Sequence, residues 1–424
     1  MTNSRCTCRR NLPRLLAALV LITGLSACGS FEPVPLSQID YLSRAQSQQK
    51  SGVTVTASVV SREEARQAFG KKLDQLGIQP VWIKIENNSD RSYRLLLHGV
   101  DPDYYSEGEA AAAVMSGSRR NREKIGDHFY QMGIDPFAPS GHTTSGFVFS
   151  HLKQGVKQVR VRLLGERDML EFEFFVEVPG IRADWQRNYS SSVYAEEDII
   201  DFQDPREFRE MLEKFICCTT RKNGTGQGDP INLVVVAESH KLKSFITAGW
   251  DETEVMGFGS GWRTFKAFLS GGEYKNSPIS ALYIFERPQD ISLQKARDTI
   301  HERNHLRLWL APWRYRGEPV WIGSITRDIG VFFTTRTWNL TTHAIDSQVD
   351  EARSYVLEDL ATAQTVSAFT LVHGVGISTP DDDRENLLGT PWWTDGRRAL
   401  MFLSEEKVPL QDVKILDWGR VISH

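Results

Sequence analysis

The sequence predicts an α+β multidomain protein: an N-terminal immunoglobulin-like β-sandwich over 51–182, then a layered α+β domain over 195–380. Three observations carry this reading. Residues 51–182 hold several short runs in which apolar and polar residues alternate, separated by turn residues. Beyond Asp204, continuous apolar runs interleave with helical patterns at uneven spacing. With 424 residues, the chain has room for two or three domains.

The first 27 residues read as a lipoprotein signal peptide. Arg5, Arg9, Arg10 and Arg14 precede an apolar run at 15–25, and Leu25-Ser26-Ala27-Cys28 closes it. A basic start, a short apolar stretch and a small-residue cleavage site make an export signal. The ending resembles the lipobox of bacterial lipoproteins, which are cut before the cysteine and acylated on it (palmitate among the acyl chains). The run is too short to span a bilayer, which takes about 20 apolar residues. Arg9-Arg10 also suggests twin-arginine export, but Cys8 and Pro13 fit that poorly. By resemblance to lipoprotein sorting in two-membrane bacteria, Gly29 in place of an Asp favours the periplasmic face of the outer membrane over retention at the inner one. Residues 28–50, with Pro33, Pro35 and many Gln and Ser, read as a tether holding a folded body clear of the bilayer.

Composition excludes several classes. The formal charge is −4, and cleavage before Cys28 removes four arginines to leave −8. No basic cluster recommends a nucleic-acid partner, and anionic lipid should be mildly repelled. Of five cysteines, Cys6 and Cys8 leave with the signal and Cys28 takes lipid. Cys217 and Cys218 are adjacent, so buried thiols are expected in preference to a bridge. Neither a disulfide framework nor a cysteine zinc site is indicated.

Along the first domain, Val53, Val55, Ala57 and Val59 alternate with polar or small residues as a strand. Ser61 and Glu64 have capping-box spacing, and Gly77 lies past the last turn of that helix. Val81, Ile83 and Ile85 form a second strand, closed by the turn Asn87-Asn88-Ser89-Asp90. Strands follow at 93–97, 146–150, 158–164 and 170–178, with an alanine-rich helix at 109–115. Asp204-Pro205 starts the second domain's first helix. Residues 231–237 are a buried central strand. Helices are expected near 241–249 and 262–269, and strands at 281–285, 306–310, 320–325, 366–372 and 399–403. Val349, Ala352, Val356, Leu360 and Ala363 stripe a helix at 348–363. Residues 381–424 read as a C-terminal extension packing on the second domain.

Four blocks in order now point to a family. They are Asn304-His305-Leu306-Arg307-Leu308-Trp309-Leu310 into Pro319-Val320-Trp321-Ile322-Gly323; Thr326-Arg327-Asp328-Ile329-Gly330; Thr342-His343-Ala344-Ile345-Asp346; and the helix from Gln348. Over 204–376 the chain resembles the LssY C-terminal domain family. The resemblance implies a domain found alone or beside membrane modules, including phosphatidic-acid phosphatase-like ones. It carries no established activity.

The candidate chemistry rests on His343, Asp346, Asp328, Arg327 and His305. If they converge, His343 is base or nucleophile, Arg327 clamps an anion, and the carboxylates orient or ligate, as hydrolysis requires. His301 and His305, four apart, would share a helical face and could hold a metal. The competing reading makes Asp346 a helix cap and Arg327-Asp328 an ion pair, and places His305 at a strand start. Pro139-Ser140-Gly141-His142 also occurs in phosphatidic-acid phosphatases, but the flanking blocks of that pattern are missing, so it reads as a turn. Gly257-Phe258-Gly259-Ser260-Gly261 reads as a flexible turn, with an anion seat as the alternative. Trp309, Trp313, Trp321, Trp338, Trp392 and Trp393 are expected in core or cleft, with a carbohydrate or lipid platform as the sharper alternative. The cofactor, if any, is unknown, and no metal is assigned. The expected role is binding or assembly in the cell envelope, with the membrane as partner through Cys28 and an envelope protein or lipid as a further partner. The alternatives are a hydrolase of phosphorylated or lipid-like envelope molecules, and a lipid carrier.

Overall fold

The computed structural model describes residues 31–153, 155–178, 193–252, 281–296, 303–333 and 341–418. They form a mixed α and β fold dominated by sheets, with seven α-helices among the described residues. The chain divides into two compact units. The first holds the described residues up to His151 with Arg162–Leu170, and the second holds Leu152–Val161 and everything from Glu171 onward.

In the first unit, β1 (Gln46–Lys50), β2 (Val53–Val59), β3 (Ile78–Asn87) and β6 (His142–His151) make one antiparallel sheet in that order. Another four-stranded sheet runs β5 (Phe137–Ala138), β4 (Tyr93–Leu95), β7 (Val156–Leu164), β8 (Met169–Glu177), and Val156–Val161 and Glu171–Glu177 of its last two strands are counted with the second unit. The alternation in β2 and β3 buries Val53, Val55, Val59, Val81, Ile83 and Ile85. Helices Arg62–Phe69, Glu107–Val114 and Arg119–Met132 bring Phe69, Ala110, Ile125 and Phe129 together with Trp82, Phe147 and Phe149. The capping box is present: Ser61 Oγ accepts from the Glu64 N–H, and the Glu64 carboxylate accepts from the Ser61 N–H. Pro139–His142 is a turn leading into β6, with Gly141 at φ 73°.

Two expectations fail here. The supposed tether is folded from Phe31 onward: Ile39 and Tyr41 are buried, and Gln46–Lys50 pairs with β2. Polar composition hid a segment in which Phe31, Val34, Leu36, Ile39 and Tyr41 pack on the core. The helix Arg119–Met132 was not expected, because Ile125 and Phe129 are nearly lost among charges.

The second unit is built on a ten-stranded sheet. Its order is β11 (Asp251–Glu252), β14 (Ile291–Ala296), β15 (Arg303–Tyr315), β16 (Glu318–Phe333), β10 (Leu233–Val236), β21 (Arg397–Leu403), β18 (Val366–His373), β22 (Lys414–Ile415). β9 (Ile200–Phe202) also pairs with β15, and β17 (Thr341–Ile345) with β16. Two short pairs, β12–β13 (Tyr283–Ile284 with Arg287–Pro288) and β19–β20 (Arg384–Glu385 with Pro391–Trp392), lie outside it. β10 is fully buried, as its unbroken apolar run requires.

Each face of this sheet has its own core. Leu306, Leu308, Ile325 and Leu293 pack with Ala352, Val356 and Leu360 of the helix Val349–Thr362. Trp309, Ile322, Val234 and Leu400 pack with Phe208 and Leu212 of the helix Pro205–Lys214. Trp309, Trp313, Trp321 and Trp392 are all buried.

The described part of 381–424, up to Trp418, is not an extension. β21 lies within the sheet, parallel to β10 and antiparallel to β18, because its apolar residues Ala399, Leu400 and Met401 can only be buried there. Arg398, fully buried beside them, donates to the carbonyls of Leu212, Phe215, Ile216 and Gly374 at 2.7–3.0 Å. Burial pushes its guanidinium down to about 10. Cys217 and Cys218 form a vicinal disulfide where thiols were expected, packed with Ile345, Val349 and Trp392. The ring closes across one peptide bond, which ordinary disulfide spacing did not anticipate. The expected helix at 262–269, the 257–261 loop, His301 and Trp338 lie outside the described residues.

Candidate functional site

Three adjacent strands place polar side chains in rows on one face. Directly paired residues of an antiparallel ladder point the same way. Ser292, Arg307 and Ser324 form one row, and Gln294, His305 and Thr326 the next. Arg303 and Asp328 stand beyond them. On β15 the pattern is Arg303, His305, Arg307 at every second position, with Leu306 and Leu308 turned to the opposite core. All eight polar residues are buried.

At the centre, His305 Nε2 lies 2.7 Å from Asp328 Oδ2. Burial drives the imidazole below its ordinary value, opposed by Asp328 and reinforced by Arg303 and Arg307. The ring is therefore neutral with one N–H, and that N–H belongs on Nε2, where it donates to the carboxylate. Nδ1 is then a bare lone pair. It is buried and accepts no hydrogen bond.

Arg303 Nε stands 3.7 Å from Asp328 Oδ2, and Arg303 Nη1 donates to Gln294 Oε1 at 3.2 Å. Arg307 Nη1 donates to Asp229 Oδ2 at 3.2 Å, and Asp229 Oδ1 accepts from Asn386 Nδ2 at 3.1 Å. Burial lowers both guanidiniums, with the aspartates opposing; arginine stays charged nonetheless. Five polar atoms of this patch are buried without a hydrogen bond: His305 Nδ1, Arg307 Nε, Ser292 Oγ, Ser324 Oγ, and Arg303 Nε, which keeps only its ion pair with Asp328. Buried polar groups are nearly always paired, so such a concentration needs a cause.

Of the residues named from sequence, the structure brings His305 and Asp328 together. Arg327 is one residue along the same strand from Asp328 and so faces the other way. It donates to Asn304 Oδ1 at 3.2 Å and lies over the Tyr355 ring at 5.5 Å. Asp346 is a turn former: its N–H donates to the Arg327 carbonyl (2.7 Å), and its carboxylate accepts from the Gln348 N–H (3.1 Å). Gln348, not Asp346, is the helix cap. His343 sits on β17 opposite Val331, and its side chain is outside those described. His305 lies inside a strand, so helical spacing with His301 does not apply. Among the described residues, no three or more His, Cys, Asp and Glu side chains gather as a metal site.

Sequence reasoning missed Arg303, Arg307, Ser292, Gln294 and Ser324. Their signal was a two-residue period of polar side chains within apolar strands.

The model of the family described as LssY C-terminus matches residues 209–397. The chain carries an LssY C-terminal-like domain. The match runs from the helix Pro205–Lys214 to the start of β21 and contains the whole polar patch. No curated protein matches the chain.

Proposed function

We propose that this is a lipid-anchored cell-envelope protein whose LssY C-terminal-like domain binds an anionic, phosphate- or carboxylate-bearing molecule on the Arg303–His305–Arg307 face. The carrying observation is the set of five buried polar atoms without a hydrogen bond on three neighbouring strands. Two guanidinium Nε–H groups and two serine hydroxyls are what an oxyanion takes up. The export signal and Cys28 support placing the lipid anchor at the periplasmic face of the outer membrane. Among the described residues no helix is long and apolar enough to cross a membrane. The antiparallel sheets of the N-terminal part support an immunoglobulin-like sandwich used for contacts.

A second reading, hydrolysis of phosphorylated envelope molecules, draws on one observation. A neutral histidine whose Nε2–H is held by a carboxylate, with Nδ1 unspent, is arranged as a general base.

Calorimetric titration with inorganic phosphate and pyrophosphate tests the binding reading. Binding by the wild type that is lost in Arg303→Ala and Arg307→Ala is the expected result, and no heat in the wild type would overturn it. Turnover of an aryl phosphate that His305→Ala abolishes would promote the second reading.

A further inference from the structure

Phe31 stands three residues beyond Cys28, and it is already docked on the first unit. Its N–H donates to Asn121 Oδ1 at 3.3 Å, and its ring meets that of His128 edge-on with centroids 5.3 Å apart. The ring also packs so tightly on Gly70 that a Cβ there would lie 3.1 Å from it. The next residues hold on too: the Val34 N–H donates to the Gln67 carbonyl at 2.8 Å. From the acylated residue to this point the chain can span at most about 11 Å.

Basic residues are the sequence neighbours of the residues that hold Phe31. Lys71 and Lys72 follow Gly70, and Arg119, Arg120, Arg122 and Lys124 flank Asn121. All are exposed except Lys71, which is half-buried and reaches Ser116 Oγ at 3.0 Å. The acids nearby are Glu123, bonded by Arg119 at 2.8 Å, Asp127, Glu32 beside Phe31, and Glu63, Glu64 and Asp74, which are ion-paired to Arg66, Arg44 and Arg62. A chain that is acidic as a whole is therefore locally basic at the point where its lipid would emerge.

We propose that the lipid on Cys28 holds this face of the first unit directly on the membrane surface, with Lys71, Lys72 and the Arg119, Arg120, Arg122, Lys124 cluster seated on the phosphates of anionic lipid. The inference rests on reading Cys28 as the lipidated residue. Three residues of reach keep Phe31 within about 11 Å of the acylated residue, on the order of a Debye length, and basic residues this near anionic headgroups are attracted to them. Guanidinium groups match phosphate oxygens in a bidentate fashion. The membrane, and not a soluble anion, is the occupant because the anchor delivers it there.

The test uses the acylated protein carrying a fluorophore at Arg120→Cys. With Cys28 acylated and Cys217 bridged to Cys218, that is the free thiol of the mature chain. The protein is reconstituted into phosphatidylcholine vesicles with or without phosphatidylglycerol, and quenching by a headgroup spin-labelled lipid is read. The expectation is strong quenching in the anionic vesicles, reduced several-fold by high salt and by Arg119→Glu/Arg122→Glu/Lys124→Glu. A reporter on acylated protein that is equally weakly quenched in both vesicles overturns the inference alone. If the mass of the Cys28 peptide shows no acyl chain, the anchor reading falls and this inference falls with it.

Discussion

Asp328→Asn keeps the side chain's shape and removes its charge, which isolates what the buried carboxylate does. Asp328 is 5% exposed, and Arg303, 3.7 Å away, is 3% exposed. At that separation and an effective dielectric near 20, the pair is worth about 4 kcal/mol. Losing one partner of a buried pair typically costs about 3–5 kcal/mol, because the other charge stays buried alone. His305 adds a hydrogen bond to a charged acceptor, worth about 1.5–3 kcal/mol, part of which the asparagine oxygen keeps. We expect Asp328→Asn to destabilise the protein by about 3–5 kcal/mol in urea unfolding followed by circular dichroism. A double-mutant cycle with Arg303→Met should return a coupling of about 2–3 kcal/mol. A loss under about 1 kcal/mol, typical of a surface substitution, would refute the view that these strands bury a real charge pair.

Three further outcomes rest on the same buried and capped groups. Burial holds His305 below its ordinary value, so the unfolded chain takes up a proton that the folded one refuses. Stability should therefore fall as pH drops below about 6.5 towards the folded value, by at most about 1.4 kcal/mol per unit, and His305→Gln should flatten that slope in denaturation midpoints measured across the window. Arg398→Met leaves four carbonyls without their donor and should cost about 3–5 kcal/mol; a variant as stable as wild type in urea would show that water replaces the guanidinium. Ser61→Ala removes the N-cap acceptor of the helix Arg62–Phe69 and should lower stability by about 1 kcal/mol, read as a shifted midpoint with unchanged m-value.

The sequence by itself determined the local elements. Period-two alternation marked β2 and β3, an unbroken apolar run marked β10, and a helical stripe marked the helix Val349–Thr362. These signals depend only on which face of an element is buried, so a single chain carries them. The family blocks around His305 and Asp328 were legible for the same reason, as consecutive residues. What only the tertiary structure decided was neighbourhood. Adjacent Arg327 and Asp328 part because strand side chains alternate, whereas Asp328, 23 residues from His305, meets it across the β15–β16 ladder. Ser292, Arg307 and Ser324 become one row only through strand register, and β21 joins the sheet only because β10 offers it an edge. Phe31 looked like part of a tether because its partners, Gly70, Asn121 and His128, are distant in sequence. Long-range contacts of this kind are chosen by packing and register, which local pattern does not encode.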